Sequence, residues 1–458
     1  MEDIKGKKVL VAGLGVSGCA SARLLAGAGA IVKVTENSDS VAVMDRVRSL
    51  SGHPFEFELG GHTAEFCGGV DMVVTSPGIP PESLPLVLAV ARRIPVIGEL
   101  ELGFRFCKAP IIAITGTNGK TTTTELIGRI LSISGRHTIV CGNIGNPLCG
   151  EVALLKEDSV AVVEVSSFQL ETIKDFRPKI AVLLNITDDH YERHGDYQGY
   201  KAAKFRVFLN QAEKDWAVIS RDLRDESMTE RIKSRVLFYG SAETMGEGSG
   251  AGTVIEAGET DRGTGLVRTV FRMREKDIQI KGAHNFDNIA CCAVVAGIMG
   301  VEEKYVQEAV KTFKGLSHRF EKVACYDGID FIDDSKATNV DATRRALESL
   351  HKRVVLIAGG RDKGGDYGPL RALVNAKVKK MVLMGEAREA IKRVFSPVVA
   401  VQEAKDMEEA VGIAADSACC GEAVMLSPMC SSFDMFTDYK ERGDVFREEV
   451  RRYYGKRR

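Results

Sequence analysis

Three times along the chain, a short apolar run rich in β-branched residues gives way to a glycine turn and then to a helical pattern. Lys8–Ala12 runs into Gly13-Leu-Gly15, Pro110–Ile114 into Gly116-Thr-Asn-Gly119, and Arg353–Ala358 into Gly359-Gly360. Runs this continuous, without polar alternation, suit strands covered on both faces, so the pattern commits the chain to parallel sheets with helical crossovers. Ile31–Thr35, Met72–Thr75, Val160–Glu164, Ile180–Leu184, Met381–Met384 and Ala423–Leu426 read as further strands of the same kind. At about 150 residues per domain, 458 residues make roughly three domains. The breaks are expected near 98–109 and near Gly315, giving domains 1–98, 99–315 and 316–458. The glycine-rich stretch Gly246–Gly265 reads as a flexible hairpin region without special chemistry.

Composition excludes several classes of function. Lys plus Arg number 62 against 63 Asp plus Glu, a net charge of −1, which offers no basic surface for nucleic acid or anionic lipid. The 11 cysteines are odd in number and include no C-x-x-C, so a reduced inventory of buried thiols is expected, without disulfides or a zinc site. The charged Glu2, Asp3, Lys5, Lys7 and Lys8 run straight into a strand with no signal-peptide core. The longest apolar stretch, Ile289–Val301, falls short of the ~18 residues of a membrane span. A cytoplasmic protein with no membrane partner is the expectation.

Gly13-Leu-Gly15-Val-Ser-Gly18 stands between a strand and a helix, the setting of a dinucleotide fingerprint, and Glu36 lies near where an acidic residue would hold a ribose hydroxyl. The same glycines equally suit a helix N-terminus that holds some other diphosphate. Thr115-Gly116-Thr-Asn-Gly119-Lys120-Thr121-Thr122 is more specific. Its backbone N–H groups can cradle phosphates, Lys120 can reach the terminal ones, and the Thr121 hydroxyl can ligate Mg²⁺. It departs from G-x-x-x-x-G-K-[ST] because Ile114 stands where the first glycine should be.

Glu164 ends a buried strand, where a carboxylate can hold Mg²⁺, while Ser166 or Ser167 can cap the helix that follows. Asn185-Ile-Thr-Asp188-Asp189-His190 also ends a strand, and a metal or phosphate role is favoured for His190. Nothing in the residues distinguishes Lys204 from Lys201. Asn285 and Asn288 share a helix face and can serve as caps or as contacts to a base or ribose. In the last third, Asp333–Asn339, Gly359–Lys363 and Ser427–Asp434 each follow a strand. Three strand ends rich in Ser, Thr and Lys imply a site for a small anionic substrate.

Taken together, these stretches resemble the ATP-dependent Mur ligases of peptidoglycan synthesis. The resemblance rests on Gly13-Leu-Gly15, Ser76-Pro-Gly-Ile79, the Thr115–Thr122 loop, Asn143-Ile-Gly145, Glu164–Leu170 and Gly282-Ala-His-Asn285. It extends through Leu316-Ser-His-Arg-Phe-Glu321, Asp334-Ser-Lys-Ala-Thr-Asn339 and Leu426-Ser-Pro-Met-Cys-Ser-Ser-Phe433. The Gly-Leu-Gly start and the last three stretches point to the members that add D-glutamate. The resemblance implies an α/β protein of three domains: a Rossmann-like first domain holding a UDP-sugar, a central P-loop-type ATPase domain with a mainly parallel sheet, and a Rossmann-like last domain holding the amino acid. The activity implied is ATP-dependent ligation of D-glutamate to UDP-N-acetylmuramoyl-L-alanine through an acyl phosphate.

Carried over by motif, Gly116, Thr117, Asn118, Gly119, Lys120, Thr121 and Thr122 would bind ATP, with Asn285, Asn288, Arg319 and Asp334. Thr121, Glu164, His190 and Lys204 would serve two Mg²⁺ sites, and Lys120, Glu164, His190 and Lys204 would be catalytic. Gly15, Val16, Ser17, Asn37, Ser76, Asn143 and His190 would line the UDP-substrate site; Lys336, Thr338, Lys363, Ser432, Phe433 and Tyr439 would hold D-glutamate. An ammonium beside Mg²⁺ repels it, and the resemblance implies that Lys204 is carbamylated by CO₂, becoming an anion that can bind metal. The expected partners are small molecules, and the expected state is a monomer. The competing readings are another amino-acid-adding ligase of the family, a dinucleotide-dependent oxidoreductase resting on Gly13–Gly18 and Glu36, and a non-catalytic nucleotide switch.

Overall fold

The computed structural model describes residues 4–189, 191–224, 227–245, 253–261, 267–280, 282–362 and 366–455. Its strands assemble into three separate sheets. By compactness the chain forms two units: Met1–Ile186, Gln198–Asp277 and Asp287–Lys311 make the first, and Thr187–Tyr197, Ile278–Phe286 and Thr312–Arg458 the second.

The first unit contains two sheets. One has five parallel strands, β1 (Lys8–Ala12), β2 (Ile31–Glu36), β3 (Phe55–Leu59), β4 (Met72–Thr75) and β5 (Val96–Gly98), in the order β3-β2-β1-β4-β5. Chain order reverses between β1 and β4, and ligands of such sheets bind outside the carboxyl ends at this switch point. The other has eight strands: β6 (Ile111–Thr115), β7 (Thr138–Gly142), β8 (Val160–Glu164), β9 (Ile180–Leu183), β10 (Trp216–Ser220), β11 (Arg235–Met245), β12 (Thr253–Asp261) and β13 (Val267–Arg274). Their order is β13-β12-β11-β10-β9-β6-β8-β7, parallel from β7 to β11 and antiparallel through β12 and β13. Strand β6 is buried along its whole length between β8 and β9, which explains its unbroken apolar sequence. Part of the expected hairpin region is thus the antiparallel strand β12; residues 246–252 and 262–266 lie outside the described residues.

In the second unit, β14 (Glu321–Tyr326), β15 (Ile329–Asp333), β16 (Val354–Gly359), β17 (Val378–Met384), β18 (Ala400–Glu403) and β19 (Ala423–Leu426) form a six-stranded sheet ordered β14-β15-β19-β16-β17-β18. Only the β14–β15 pair is antiparallel. The sheet carries an apolar core on each face, one around Leu347, Leu356 and Phe395, the other around Phe331, Val411 and Phe446. All 11 cysteines are free thiols. Among the described residues no helix is long and apolar enough to cross a membrane.

Candidate active site

The switch point of the first sheet is built from the ends of β1 and β4. Ser76 follows β4; its backbone N–H donates to Ala12 O at 3.0 Å and its hydroxyl to Gly13 O at 3.3 Å, closing β4 against the glycine turn. The helix Val16–Gly27 starts at Gly15 with no side-chain cap, so no cap side chain occupies the N-terminus where an anion could bind. Gly18 cannot carry a side chain, since a Cβ there would lie 1.9 Å from Gly13 O. Glu36 is committed to the turn: Leu14 N–H donates to one carboxylate oxygen at 2.7 Å and Ser38 N–H to the other at 3.2 Å. It braces the loop from within. Val16 and Asn37 are exposed, and Gly15 and Ser17 half-buried.

The second sheet places a phosphate loop between two neighbours. Residues 116–119 leave β6 and enter the helix Lys120–Ile133 through Gly119, whose φ of 84° is left-handed. A Cβ at Gly119 would also meet the Asn288 side-chain oxygen at 2.5 Å, so Asn288 packs directly on the loop. Lys120 Nζ donates to Gly116 O and to Thr117 O, both at 2.8 Å. Lys204, on the helix Tyr197–Phe205, is 1 % exposed and also donates from Nζ to Gly116 O at 2.8 Å, with Nζ 4.3 Å from the Tyr200 ring centre. Lys201 on the same helix is only half-buried. Burial against the loop therefore separates two lysines that look alike in sequence.

On the other flank, Glu164 ends β8 and is 2 % exposed. Asn143 Nδ2 donates to its Oε1 at 2.9 Å, and Asn143 N–H donates to its backbone carbonyl, also at 2.9 Å. Glu164 Oε2 is buried without a hydrogen-bond partner. A carboxylate oxygen kept dry and unpaired costs free energy, and a hard cation is one ligand that removes this cost. Burial, and then the Glu164 charge, push the neighbouring Glu125 carboxyl above its ordinary value. Among the described residues no three His, Cys, Asp or Glu side chains converge as a metal-ligating group. Magnesium needs no such cage, since it binds through one or two carboxylates, water and phosphate, and the unpaired Oε2 of Glu164 fits that demand. Ser166 caps the helix Ser167–Glu171 in a reciprocal box with Gln169, so this stretch carries the cap as well as the carboxylate.

In the second unit, the three strand ends singled out in the sequence are neighbours, because β15, β19 and β16 are adjacent. Ser427 Oγ donates to Asp334 Oδ2 at 2.8 Å, Phe320 N–H to Asp334 Oδ1 at 3.1 Å, and Arg361 N–H to Ser431 O at 2.9 Å. Burial pushes the Asp334 carboxyl up to about 7, against hydrogen bonds from Ser427 and Phe320 and the charge of Arg319. Lys336 Nζ sits 3.8 Å from the centre of the Tyr439 ring. Ser432 is buried, Thr338 half-buried and Phe433 exposed. Asn285, Arg319 and Asp334, expected on the nucleotide, all belong to this second unit. His190 and Lys363 lie outside the described residues. The Asn185–His190 segment divides: Asn185 and Ile186 go with the first unit, and Asp189 with the second, where Asn339 Nδ2 donates to its carboxylate at 3.1 Å.

Two residues escaped the sequence reading. Arg442, 2 % exposed, donates to Ser335 Oγ and Ser335 O and to the carbonyls of Ser431 and Cys430, tying together the loops after β15 and β19. A helix arginine carries no sequence mark of burial. Asn185 bonds to the phosphate loop at three points; its position at a strand end was the available signal.

The first unit thus combines a glycine-turn loop suited to phosphate with a buried carboxylate that has one oxygen unpaired, and the second carries a sheet with three polar strand ends, the equipment of an α/β protein for anionic ligands. Models of three domains match in series: a MurD-like N-terminal domain of Mur ligases over residues 7–98, the Mur ligase middle domain over 114–296 and the Mur ligase glutamate ligase domain over 318–430. The chain belongs to the Mur ligase family. Among its relatives, the UDP-N-acetylmuramoylalanine--D-glutamate ligase of Geotalea daltonii is 43% identical over 456 residues, covering 99% of both chains. The protein of that name from Desulfosudis oleivorans is 42% identical, covering 98% of this chain and 97% of its own. The fold is shared with the MurF ligase of Thermotoga maritima in complex with ADP, at a TM-score of 0.61, 15% identity and full coverage of both chains. It is shared also with the UDP-N-acetylmuramate-alanine ligase of that organism, at a TM-score of 0.59, 20% identity, and coverage of 98% of this chain and 100% of the other.

Proposed function

We propose that the protein joins D-glutamate to UDP-N-acetylmuramoyl-L-alanine with cleavage of ATP to ADP and phosphate. What carries the reading is similarity over nearly the whole chain to D-glutamate ligases, with a glycine-turn loop that carries a lysine and lies beside a buried carboxylate. In this reading residues 1–98 hold the UDP-substrate, 99–315 the nucleotide and 316–458 the amino acid. It places the protein in the cytoplasm, as a monomer.

The chemistry follows from the poor leaving group of a carboxylate. A carboxylate oxygen of the UDP-substrate attacks the γ-phosphorus of ATP, and the bond to the ADP oxygen breaks. The D-glutamate nitrogen then attacks the acyl carbon, loses a proton, and phosphate departs with its oxygen. N–H groups at the start of the helix Lys120–Ile133 bind the phosphates, and Lys120 turns from the loop carbonyls to the transferring group, where its charge counts most as negative charge moves. Glu164 and Thr121 would hold magnesium, whose charge would offset that of the phosphates. Lys336, oriented by the Tyr439 ring, pairs with a D-glutamate carboxylate. A carbamate on Lys204 turns a cation crowded against Lys120 into an anion that suits a second cation.

The test incubates the protein with ATP, Mg²⁺, UDP-N-acetylmuramoyl-L-alanine and one amino acid at a time. Phosphate release should depend on D-glutamate; release no greater than with L-alanine, L-lysine or meso-diaminopimelate refutes the assignment.

A further inference from the structure

Beyond strand β9 the sheet does not stop where its backbone pairing stops. Leu184 N–H donates to Thr115 O at 3.0 Å and Thr117 N–H to Asn185 O at 2.9 Å, which continues the β6–β9 ladder into the phosphate loop. At the next step, where the backbones diverge, the Asn185 side chain takes over. Its Oδ1 accepts from Asn118 N–H at 2.8 Å and its Nδ2 donates to Asn118 O at 3.0 Å. A primary amide presents the same acceptor and donor as a peptide unit, so Asn185 extends the ladder by one residue. Both polar groups of the Asn118 peptide positions are thereby satisfied in a loop that must stay open to receive a ligand.

We infer that Asn185 is a positioning residue for the nucleotide phosphates, holding Thr117 and Asn118 in the open loop shape without touching the phosphate. The inference rests on the proposed nucleotide role of residues 116–122. The geometry supplies a reason for an amide in particular. Alanine loses both bonds and leaves the loop free to collapse. Aspartate is nearly isosteric and keeps the acceptor for Asn118 N–H, but sets a carboxylate oxygen against Asn118 O and adds negative charge beside a phosphate site.

The experiment titrates full-length wild type, Asn185→Ala, Asn185→Asp and Lys120→Ala with Mg·ADP and, separately, with UDP, by calorimetry. Asn185→Ala should weaken Mg·ADP by about ten-fold, the scale of two hydrogen bonds, and Asn185→Asp by more. UDP affinity should stay within about two-fold for both, which also shows that the variants are folded. In turnover, KM for ATP should rise while KM for D-glutamate holds. If Asn185→Ala and Asn185→Asp bind Mg·ADP like wild type while Lys120→Ala does not, the positioning role is wrong and the nucleotide site stands. If UDP and Mg·ADP binding fall together in both variants, Asn185 supports the whole unit instead, and the inference is overturned. If wild type binds no Mg·ADP, or Lys120→Ala binds it as wild type does, the nucleotide assignment itself fails.

Discussion

Lys120 and Lys204 place their ammonium groups on one carbonyl oxygen, that of Gly116, each at 2.8 Å. Two cations on one acceptor repel, and Lys204 is almost wholly buried while doing so. Carbamylation of Lys204 would replace that repulsion with attraction. Lys204→Ala should lose most activity, and an added short carboxylic acid should restore part of it by supplying the missing anion. Lys201→Ala, half-buried on the same helix, should be nearly silent. An intact mass without the CO₂ adduct, combined with full activity in CO₂-depleted buffer, would exclude the modification.

Lys120→Ala should abolish turnover while UDP binding stays nearly intact. The lysine donates to carbonyls of the phosphate loop, whereas the glycine turn after β1 is braced by Glu36 and Ser76. Calorimetric titration with UDP checks this, and a loss beyond about three-fold would mean that the two sites are not independent.

Tyr439 gives Lys336 an aromatic face, which a phenylalanine would also present. Tyr439→Phe should leave kinetics unchanged, whereas Tyr439→Ala should raise KM for D-glutamate about three- to ten-fold, with kcat much less affected. Lys363→Ala should also act mainly on that KM, as a charge binding a substrate carboxylate. A rise in KM for ATP in either case would move the residue to the nucleotide site.

Glu99 opens the helix Glu99–Phe106 and is 1 % exposed; Cys149 N–H donates to Oε1, while Oε2 has no partner. Burial pushes its carboxyl from 4.5 up to about 7. The folded state therefore holds a proton that the unfolded chain releases near pH 4.5, so this group's contribution to stability is present below that pH and is lost as pH rises toward 7. Burial gives Asp334 the same sign. Glu99→Gln should remove its share of the slope, up to about 3 kcal/mol between pH 4.5 and 7, read from urea unfolding at several pH values. An unchanged slope would show that Glu99 is ionised in the fold.

Nine of the buried parallel strands were legible in the sequence, whereas edge strands such as β3, β7, β13, β14 and β18 were not. Val9–Ala12, Met72–Val74, Val160–Val163 and Ala423–Leu426 are continuous apolar runs because each is buried, and burial of that kind is written directly into residue type. The phosphate loop was equally legible, since a glycine turn before Lys120 is a local conformational requirement. The Rossmann-like and P-loop-type sheets followed from the order of such units and from family resemblance.

Other features depend on which strands lie side by side, and residue type does not encode that. Glu36 showed no tie to the glycine turn until β2 beside β1 brought its carboxylate onto Leu14 N–H. Lys204 and Lys201 were indistinguishable until the helix packed with one of them against Gly116. Asn185 and Arg442 gained their roles from long-range pairing, through β9 beside β6 and through the loops after β15 and β19. Sequence by itself determined the local demands, apolar runs for buried strands and glycines for tight turns. The tertiary structure decided which polar groups meet, because a hydrogen bond or a buried charge depends on partners far away in the chain.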